Sequence, residues 1–406
     1  KAGSSKTRPP STVARPATIP VLLMQGCSGA ASQPADIHMK EDRYEIEQGA
    51  QLDIYLPDEG LSCALEALWN KTYPAYRNAL HFSQEDKSLQ THDLVWGKDT
   101  DAWNETAHAY PLTGIKQHLE YPWPAQLERT AIKDSFFPVS GKGLVFVYNT
   151  YTAKQRGLTA GDFDDFKSLA GKKDVYYQNR TLAYTIPFFF DREDDEDAAV
   201  SMKTVVQSSL FKERLHRYRS FHTALDLHDD TLDDEAFYED GRYVSGLIMN
   251  DTNFDSSTAY ADMHLQFTAM PSYDDTSLRP MLDVYGFTAS QKTRYPNAVF
   301  AFLQLVRSQE GINTLLENNL RPLVQREDVE KLGIYDAYVK QILCAMNDSQ
   351  LRNTSYIKEK SSITLLDLYK NSNLLSLLQN SLYTKENDSH VQKAIHQDIT
   401  HWILTQ

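Results

Sequence analysis

Acidic and aromatic side chains stand at the ends of the first predicted strands, where they could contact a polar ligand. Asp58 and Glu59 follow the first strand, and Trp96 and Asp99 lie at the end of the third. Carboxylates accept hydrogen bonds from hydroxyl and amino groups, and an indole ring offers a flat apolar face. This combination predicts a binding site for a small polar molecule.

The elements that precede these residues predict a parallel sheet. A strand over residues 51–57 leads to a helix over 61–73, whose apolar residues recur at helical spacing, and then to short strands over 79–82 and 92–96. This strand–helix–strand order with short connections is the βαβ pattern, which has a right-handed crossover. Because ligands bind beyond the carboxyl ends of strands in such sheets, we expect the four residues at the binding edge.

Residues 134–151 are predicted to organise the rest of the fold. An aromatic pair and a proline lead into Ser-Gly-Lys-Gly at 140–143, which is followed by an apolar strand over 144–148. A continuous apolar run of this kind indicates a strand that is covered on both faces. The glycines around Lys142 predict a flexible change of direction, or a passage of the chain from one lobe to another.

Length, charge and cysteine content narrow the class of protein. A chain of 406 residues is too long for one ordinary core and predicts two domains. The formal net charge of -14 argues against a nucleic-acid partner. Cys27, Cys63 and Cys344 form no CxxC pair, so neither a disulfide framework nor a zinc site is predicted. No apolar run reaches the roughly 18 residues that a membrane-spanning helix needs.

The motifs of common enzyme classes are missing from the sequence. It has no G-x-S-x-G, H-E-x-x-H, P-loop or G-x-G-x-x-G motif, so we predict neither enzymatic activity nor a cofactor. One catalytic alternative stays open, because Asp58 and Asp99 could face each other as the carboxylate pair of a glycosidase. A site that binds hydroxyl groups needs the same residues, so the sequence does not separate the two.

The amino-terminal residues 1–44 are predicted to form a disordered tail. Residues 1–20 are basic, rich in Ser, Thr and Pro, and without apolar periodicity. Residues 19–29 resemble the end of a bacterial lipoprotein signal, where a short apolar run leads to Gly-Cys and the cysteine is lipidated. Cys27 is therefore a candidate lipidation site, and an incidental free cysteine is the alternative.

Further strands and helices are predicted along the rest of the chain. Strands are expected over 175–178, 244–249 and 265–270, followed by two helices over 295–316 with a break at Gly311. Beyond Pro322 the chain is predicted to be almost wholly helical, over 329–347, 363–382 and 390–404.

Four segments carry a family resemblance in their order and spacing: residues 57–60 (PDEG), 93–99 (DLVWGKD), 137–149 (FPVSGKGLVFVYN) and 236–250 (AFYEDGRYVSGLIMN). Together they resemble the extracellular solute-binding proteins of ABC transporters, in the group that includes the maltodextrin-binding proteins. The third segment is similar to the strand that crosses the hinge in that family and typically ends in Tyr-Asn. The resemblance spans about residues 51–322.

The resemblance implies an α/β, two-lobed periplasmic-binding-protein-like fold with a hinge, an interlobe ligand cleft and a helical C-terminal segment. In such a fold, hinge closure buries the ligand between the lobes. The implied lobes are 45–139 plus 270–322 and 140–269 plus 323–406.

The resemblance also implies ligand contacts. They are Asp58, Glu59, Trp96 and Asp99 in the first lobe, Lys142 at the crossing, and Tyr184 and Asn250 in the second lobe. The maltodextrin binders have a lysine at the position of Glu59, an arginine at the position of Thr100, and an acid near Lys142. These departures argue against maltodextrin and leave another carbohydrate as the expected ligand.

We therefore predict the substrate-binding component of a bacterial ABC importer, which binds a sugar or oligosaccharide and presents it to the permease. It is expected to be a monomer outside the cell, either anchored to the membrane through lipidated Cys27 or secreted. Two alternatives stay open: a surface lipoprotein that acts as an interaction or adhesin module, and a receptor for a non-sugar solute. Ligand-induced closure and thermal stabilisation are expected of a receptor and not of an interaction module.

Overall fold

The computed structural model describes residues 37–99, 107–124, 127, 134–165, 168, 175–177, 187–190, 199–225, 244–252, 264–272, 281–334, 336–349, 352–353 and 356–406. Two residues of the predicted sites, Cys27 and Tyr184, lie outside this part of the chain.

The described strands are β1 (Met39–Lys40), β2 (Arg43–Tyr44), β3 (Leu52–Tyr55), β4 (Leu80–Ser83), β5 (Leu94–Lys98), β6 (Phe136–Asn149), β7 (Val175–Tyr177), β8 (Ala199–Val200), β9 (Ser245–Met249), β10 (Leu265–Thr268), β11 (Met281–Ala289), β12 (Arg352–Asn353), β13 (Tyr356–Ile357) and β14 (Lys360–Thr364). The described α-helices are α1 (Glu59–Thr72), α2 (Thr150–Gln155), α3 (Pro187–Phe190), α4 (Met202–Val206), α5 (Ser209–Leu225), α6 (Pro296–Val306), α7 (Gln309–Glu317), α8 (Arg326–Val329), α9 (Ala337–Asp348), α10 (Leu365–Asn371), α11 (Leu374–Ser381) and α12 (Asp388–Thr405).

A nine-stranded mixed sheet positions the residues of interest. Its strands run in the order β4-β3-β5-β11-β6-β9-β7, with β10 paired to β6 and β12 to β11. β3 is parallel to β4 and β5, as the βαβ pattern predicts. β11 is antiparallel to both of its main neighbours, β5 and β6. A strand from late in the chain therefore lies between two strands that precede it by more than a hundred residues.

β6 is one uninterrupted strand of 14 residues, and the flexible turn predicted at 140–143 is not present. A Cβ atom at Gly141 would come within 2.8 Å of Leu323 and 2.9 Å of Leu282, and one at Gly143 would lie 3.0 Å from Leu282. The two glycines therefore allow neighbouring side chains to pack closely on the strand, and they do not reverse its direction.

Two hydrophobic cores pack against the sheet. The first is built from β3, β5, β11, α1, α6, α7 and α9, and the second from α4, α5, α10, α11 and α12. β6 contributes to both, because Phe137, Val139, Val145 and Val147 belong to the first core while Leu144 and Phe146 belong to the second. Over residues 144–147, successive side chains alternate between the two cores, so this part of the strand is covered on both faces as its apolar run predicts. The boundaries of the two lobes stay a prediction.

Residues 37–50 form an ordered edge of the first core, although residues up to 44 are predicted as a tail. β1 and β2 pair as an antiparallel hairpin. Tyr44 is buried and meets Phe300 edge to face at 5.2 Å. The carboxylate of Glu47 accepts hydrogen bonds from the backbone N–H groups of Asn297 (2.7 Å) and Ala298 (2.9 Å) at the start of α6, groups that have no partner within a helix. Partners so distant in sequence leave no local pattern.

The break between α6 and α7 falls at residues 307–308 and not at Gly311. Ser308 caps α7, because its hydroxyl accepts a hydrogen bond from the backbone N–H of Gly311 at 3.1 Å. Gly311 lies in the first turn of α7, where a Cβ atom would approach the carbonyl oxygen of Leu305 to 2.2 Å. This glycine is therefore explained by a close contact between the helices.

The helical C-terminal segment is confirmed, but the short strands β12, β13 and β14 interrupt it between α9 and α10. β13 pairs with β8 and β14, and Ile363 lies in β14 where the sequence predicts the start of a helix. The helix begins after Thr364, whose hydroxyl accepts from the N–H of Asp367 while the Asp367 carboxylate accepts from the N–H of Thr364. This capping box fixes the start of α10.

Candidate functional site

The register of three neighbouring strands places charged and aromatic residues on one face of the sheet. On β11, Asp283 lies opposite Lys142 of β6, and Tyr285 lies opposite Lys98 of β5. Directly opposite residues of an antiparallel pair project to the same face, and so do residues two apart on one strand. The lysines of two strands that do not pair with each other are therefore brought together by β11.

Lys98 and Asp283 form a largely buried ion pair. The Nζ atom of Lys98 lies 3.1 Å from Oδ2 of Asp283 and 5.3 Å from the ring centre of Tyr285. The Lys98 and Asp283 side chains are 23% and 6% exposed. Burial alone would lower the pKa of Lys98, but Asp283 and Tyr285 outweigh it with their charges and hydrogen bonds and raise the pKa. Lys98 is therefore a fixed positive charge at neutral pH.

Trp96 lies on the same face of the sheet, beside these residues, and is buried. It is 8% exposed and belongs to the first core. The edge of its ring system meets Phe287 at a centroid distance of 5.0 Å and an angle of 70°. Tyr285 lies nearly parallel to it, at 6.4 Å and 17°, which is offset stacking. Trp96 thus supports Tyr285 from within the core.

Lys142 and Asp251 form a second, more exposed ion pair. The Nζ atom of Lys142 lies 2.5 Å from Oδ2 of Asp251, which follows β9, and the two side chains are 42% and 32% exposed. The side-chain amide of Asn319, just after α7, donates to the backbone carbonyl of Asp251 at 3.2 Å. Three separate segments therefore meet at a place that solvent can reach.

The side chain of Asn250 is fully buried and holds the backbone on both sides of Lys142. Its Oδ1 accepts a hydrogen bond from the N–H of Gly143 at 3.1 Å, and its Nδ2 donates to the carbonyl of Gly141 at 2.9 Å. These contacts are those of a positioning residue. The direct ligand contact at Asn250 stays a prediction.

Arg321 holds the turn that carries Asp251. Its guanidinium is buried, and Nε donates to the carbonyl of Asn250 at 2.7 Å while Nη2 lies 3.5 Å from the carbonyl of Thr252. Burial lowers the pKa of Arg321, and the negative charges of Asp251 and Asp336 oppose that shift. The turn after β9 is therefore clamped by a segment that leads out of the first core.

The other predicted contacts lie at the same edge of the sheet and differ in exposure. Asp58 is exposed and caps α1, since its Oδ1 accepts from the N–H of Leu61 at 2.9 Å. Glu59 is exposed in the first turn of that helix. Asp58 follows β3, and Lys98 is the last residue of β5. Because the two strands are parallel, both residues lie at the same end of the sheet. Asp99, the next residue, is 2% exposed.

Neither a metal cluster nor a membrane-spanning helix is found in the described part of the chain. Its His, Cys, Asp and Glu residues form no group of three or more that could hold a metal ion. No described helix has both the length and the apolar character needed to cross a bilayer.

Solved structures with this arrangement of strands and helices include the maltodextrin-binding protein MalE1 of L. casei BL23 without ligand, at a TM-score of 0.65 and 11% identity, covering 87% of this chain and 99% of that chain. Another is the cyclic alpha-maltosyl-1,6-maltose binding protein of Arthrobacter globiformis, at a TM-score of 0.62 and 12% identity. That match covers 88% of this chain and 100% of that chain. This chain has their fold. The predicted fold class is thereby confirmed. The sequence itself matches no protein-family model, and no curated protein matches it significantly.

Five residues of this site were not singled out by the sequence: Lys98, Asp251, Asp283, Tyr285 and Arg321. Asp283 and Tyr285 sit in β11, which the pattern around residue 284 did not identify as a central strand, and Asp251 directly follows the predicted contact at Asn250. The available signal was Asp283 itself, because a carboxylate between apolar Leu282 and Val284 in a buried strand needs a partner.

Proposed function

We propose that the chain is the solute-binding component of a bacterial ABC importer and that its ligand is a sugar or oligosaccharide. The observation that carries this proposal is the fold, which matches two saccharide-binding proteins over 87% and 88% of this chain. The charged and aromatic face formed by β5, β11 and β6 supports it, because carboxylate, ammonium and aromatic groups suit hydroxyls and the apolar faces of sugar rings.

The ligand lies, in this proposal, in a cleft between lobes 45–139 plus 270–322 and 140–269 plus 323–406. Asp58 and Glu59 approach it from the edge after β3, and Lys142 approaches it from the crossing strand. Asp99, Trp96, Tyr184 and Asn250 complete the proposed set, with Trp96 and Asn250 acting through the residues they support. Closure of the lobes would bury the ligand and present a new surface to the permease.

The protein acts, in this proposal, by binding alone and outside the cell, with Cys27 as the candidate attachment point of a lipid anchor. Labelling of the intact natural precursor with a radioactive fatty acid tests the anchor, and a Cys27→Ser variant that keeps the label would exclude it. Incubation of the protein with each saccharide, followed by chromatography of the sugar, tests for hydrolysis. Cleavage that is lost in Asp58→Asn would replace the receptor with a glycosidase.

The first experiment for the binding function is a thermal-shift screen. The purified protein is heated with mono- and oligosaccharides, and with amino acids, polyamines and short peptides as controls. A ligand at a hundredfold excess over Kd stabilises the native state by about 2.7 kcal/mol, which raises Tm by a few degrees. Small-angle scattering with and without the best ligand then measures closure.

The outcomes of the screen separate the candidate functions. Stabilisation by a saccharide together with a smaller radius of gyration supports the proposal. Stabilisation by a non-sugar alone keeps a receptor and overturns the carbohydrate ligand. No stabilisation and no closure with any compound would favour an interaction module.

A further inference from the structure

Tyr285 is the point at which the central strand of the site reaches the surface. Of the nine residues of β11, eight are buried and Tyr285 alone is partly exposed. The predicted stacking residue, Trp96, lies beside it on the same face and is buried in the core. The aromatic surface open to a ligand is therefore one strand further along the sheet than the sequence predicts.

The orientation of Tyr285 is fixed by its surroundings. Next to it, the backbone of Gly286 approaches β6 so closely that a Cβ atom would lie 1.9 Å from the carbonyl oxygen of Phe137. The β6 register also shifts between Tyr285 and Gly286. With Trp96 stacked against the ring, these contacts hold Tyr285 in one place before any ligand arrives, which reduces the entropy lost on binding.

A charged pair flanks the tyrosine ring. The Lys98 ammonium lies over the Tyr285 ring at 5.3 Å from its centre and 3.1 Å from the Asp283 carboxylate, and the lysine side chain keeps 23% exposure. An ammonium group donates hydrogen bonds and a carboxylate accepts them. The pair can therefore donate to the oxygen of a ligand hydroxyl group and accept from its O–H. An aromatic ring beside paired donors and acceptors fits a molecule with one apolar face and a polar rim.

The geometry points to Tyr285 as the stacking platform of the site, where the apolar face of a pyranose ring packs on the tyrosine while Lys98 and Asp283 bind its hydroxyl groups. This assignment rests on the proposed function and names residues that carry its specificity. It also gives Trp96 a supporting role in place of direct contact.

Isothermal titration calorimetry tests the assignment. The ligand is the saccharide that stabilises the wild-type protein most in a panel of monosaccharides, maltose, cellobiose and xylobiose. Tyr285→Ala is expected to weaken binding by at least about tenfold, since stacking and the buried apolar area are both lost. Tyr285→Trp keeps a stacking ring and is expected to stay within about threefold, and its added tryptophan emission should change as the sugar binds. Tyr383→Ala removes a tyrosine that is 79% exposed elsewhere and serves as the matched control.

Each outcome decides the assignment. The assignment is supported if Tyr285→Ala binds the saccharide more weakly while Tyr285→Trp and Tyr383→Ala keep an affinity near that of the wild type. The circular dichroism spectra of the variants must be unchanged. Should Tyr285→Ala prove misfolded, an emission change on sugar binding in Tyr285→Trp that exceeds the change of the wild type, which has five native tryptophans, still supports contact. A change no larger than that of the wild type overturns it. Wild-type affinity in a folded Tyr285→Ala variant overturns the platform while the receptor function stands. A wild-type protein that binds none of these saccharides overturns the platform together with its carbohydrate ligand.

Discussion

The two lysine–aspartate pairs of the site use the same chemistry in different settings. Lys98 and Asp283 project from adjacent strands of one sheet, and the acid is 6% exposed. Lys142 and Asp251 join β6 to a turn after β9, and both side chains are about one-third exposed or more. The first pair is held by the sheet on either side, whereas the second depends on how a turn is clamped. The same charges can therefore form a fixed part of a site in one place and an adjustable part in another.

The largest loss of stability is expected from Asn250→Ala, which removes the side chain that holds the backbone on both sides of Lys142 in the second pair. The variant leaves the N–H of Gly143 and the carbonyl of Gly141 without their buried partner. The expected loss is about 2–4 kcal/mol in the free energy of unfolding, measured by urea denaturation. A loss below about 1 kcal/mol would show that the strand around Lys142 does not need the amide.

A smaller but clear loss is expected from Asp283→Asn. Lys98 then keeps its charge in a largely buried place without a carboxylate partner, so unfolding should become easier by about 1–3 kcal/mol. Urea denaturation of the variant beside Asp251→Asn measures the difference between the pairs. Equal losses in the two variants would contradict the comparison.

The first pair should also show a pH dependence in the alkaline range. The folded pKa of Lys98 is raised above 10.5, so its contribution is fully present below that pH and is lost as pH rises through the folded value. The stability difference between wild type and Asp283→Asn is therefore expected to shrink above pH 10.5, as measured by urea denaturation across pH. A difference that stays constant would place the effect of Asp283 in packing instead of charge.

The smallest effect is expected from Asp251→Asn. Exposed ion pairs contribute about 0–1 kcal/mol, and added salt screens them. The variant should lose less than about 1 kcal/mol, and the loss should vanish at about 1 M NaCl, where the Debye length is about 3 Å. A loss that persists in high salt would mean that Asp251 acts through its contacts in the turn.

Much of the fold could be predicted because its signals are local. The βαβ unit, the long apolar strand after Lys142 and the helical C-terminal segment all follow from periodicity and helix-ending residues, and the structure contains them. The glycines at 141 and 143 were assigned to a flexible change of direction or to a passage between lobes, since sequence does not tell close packing from a change of direction.

The site was harder to predict because its residues meet through long-range pairing. Lys98 and Asp283 become neighbours only when β11 inserts between β5 and β6, and no local pattern specifies that order. The same reason explains why Trp96 was taken as the exposed aromatic. Its burial depends on Tyr285 and Phe287, which come from a distant strand.

The sharing of β6 between two cores has a consequence for how the molecule unfolds. The first residues of β6 are buried with the first core, and residues 144–147 alternate between the two cores. The strand therefore cannot leave either core without exposing apolar side chains of both. The two cores should therefore unfold together in a single cooperative transition. A fragment that ends before β6 would lack the β6 side chains that complete the first core. If the proposed lobes move on ligand binding, the strand that packs in both cores also makes them one folding unit.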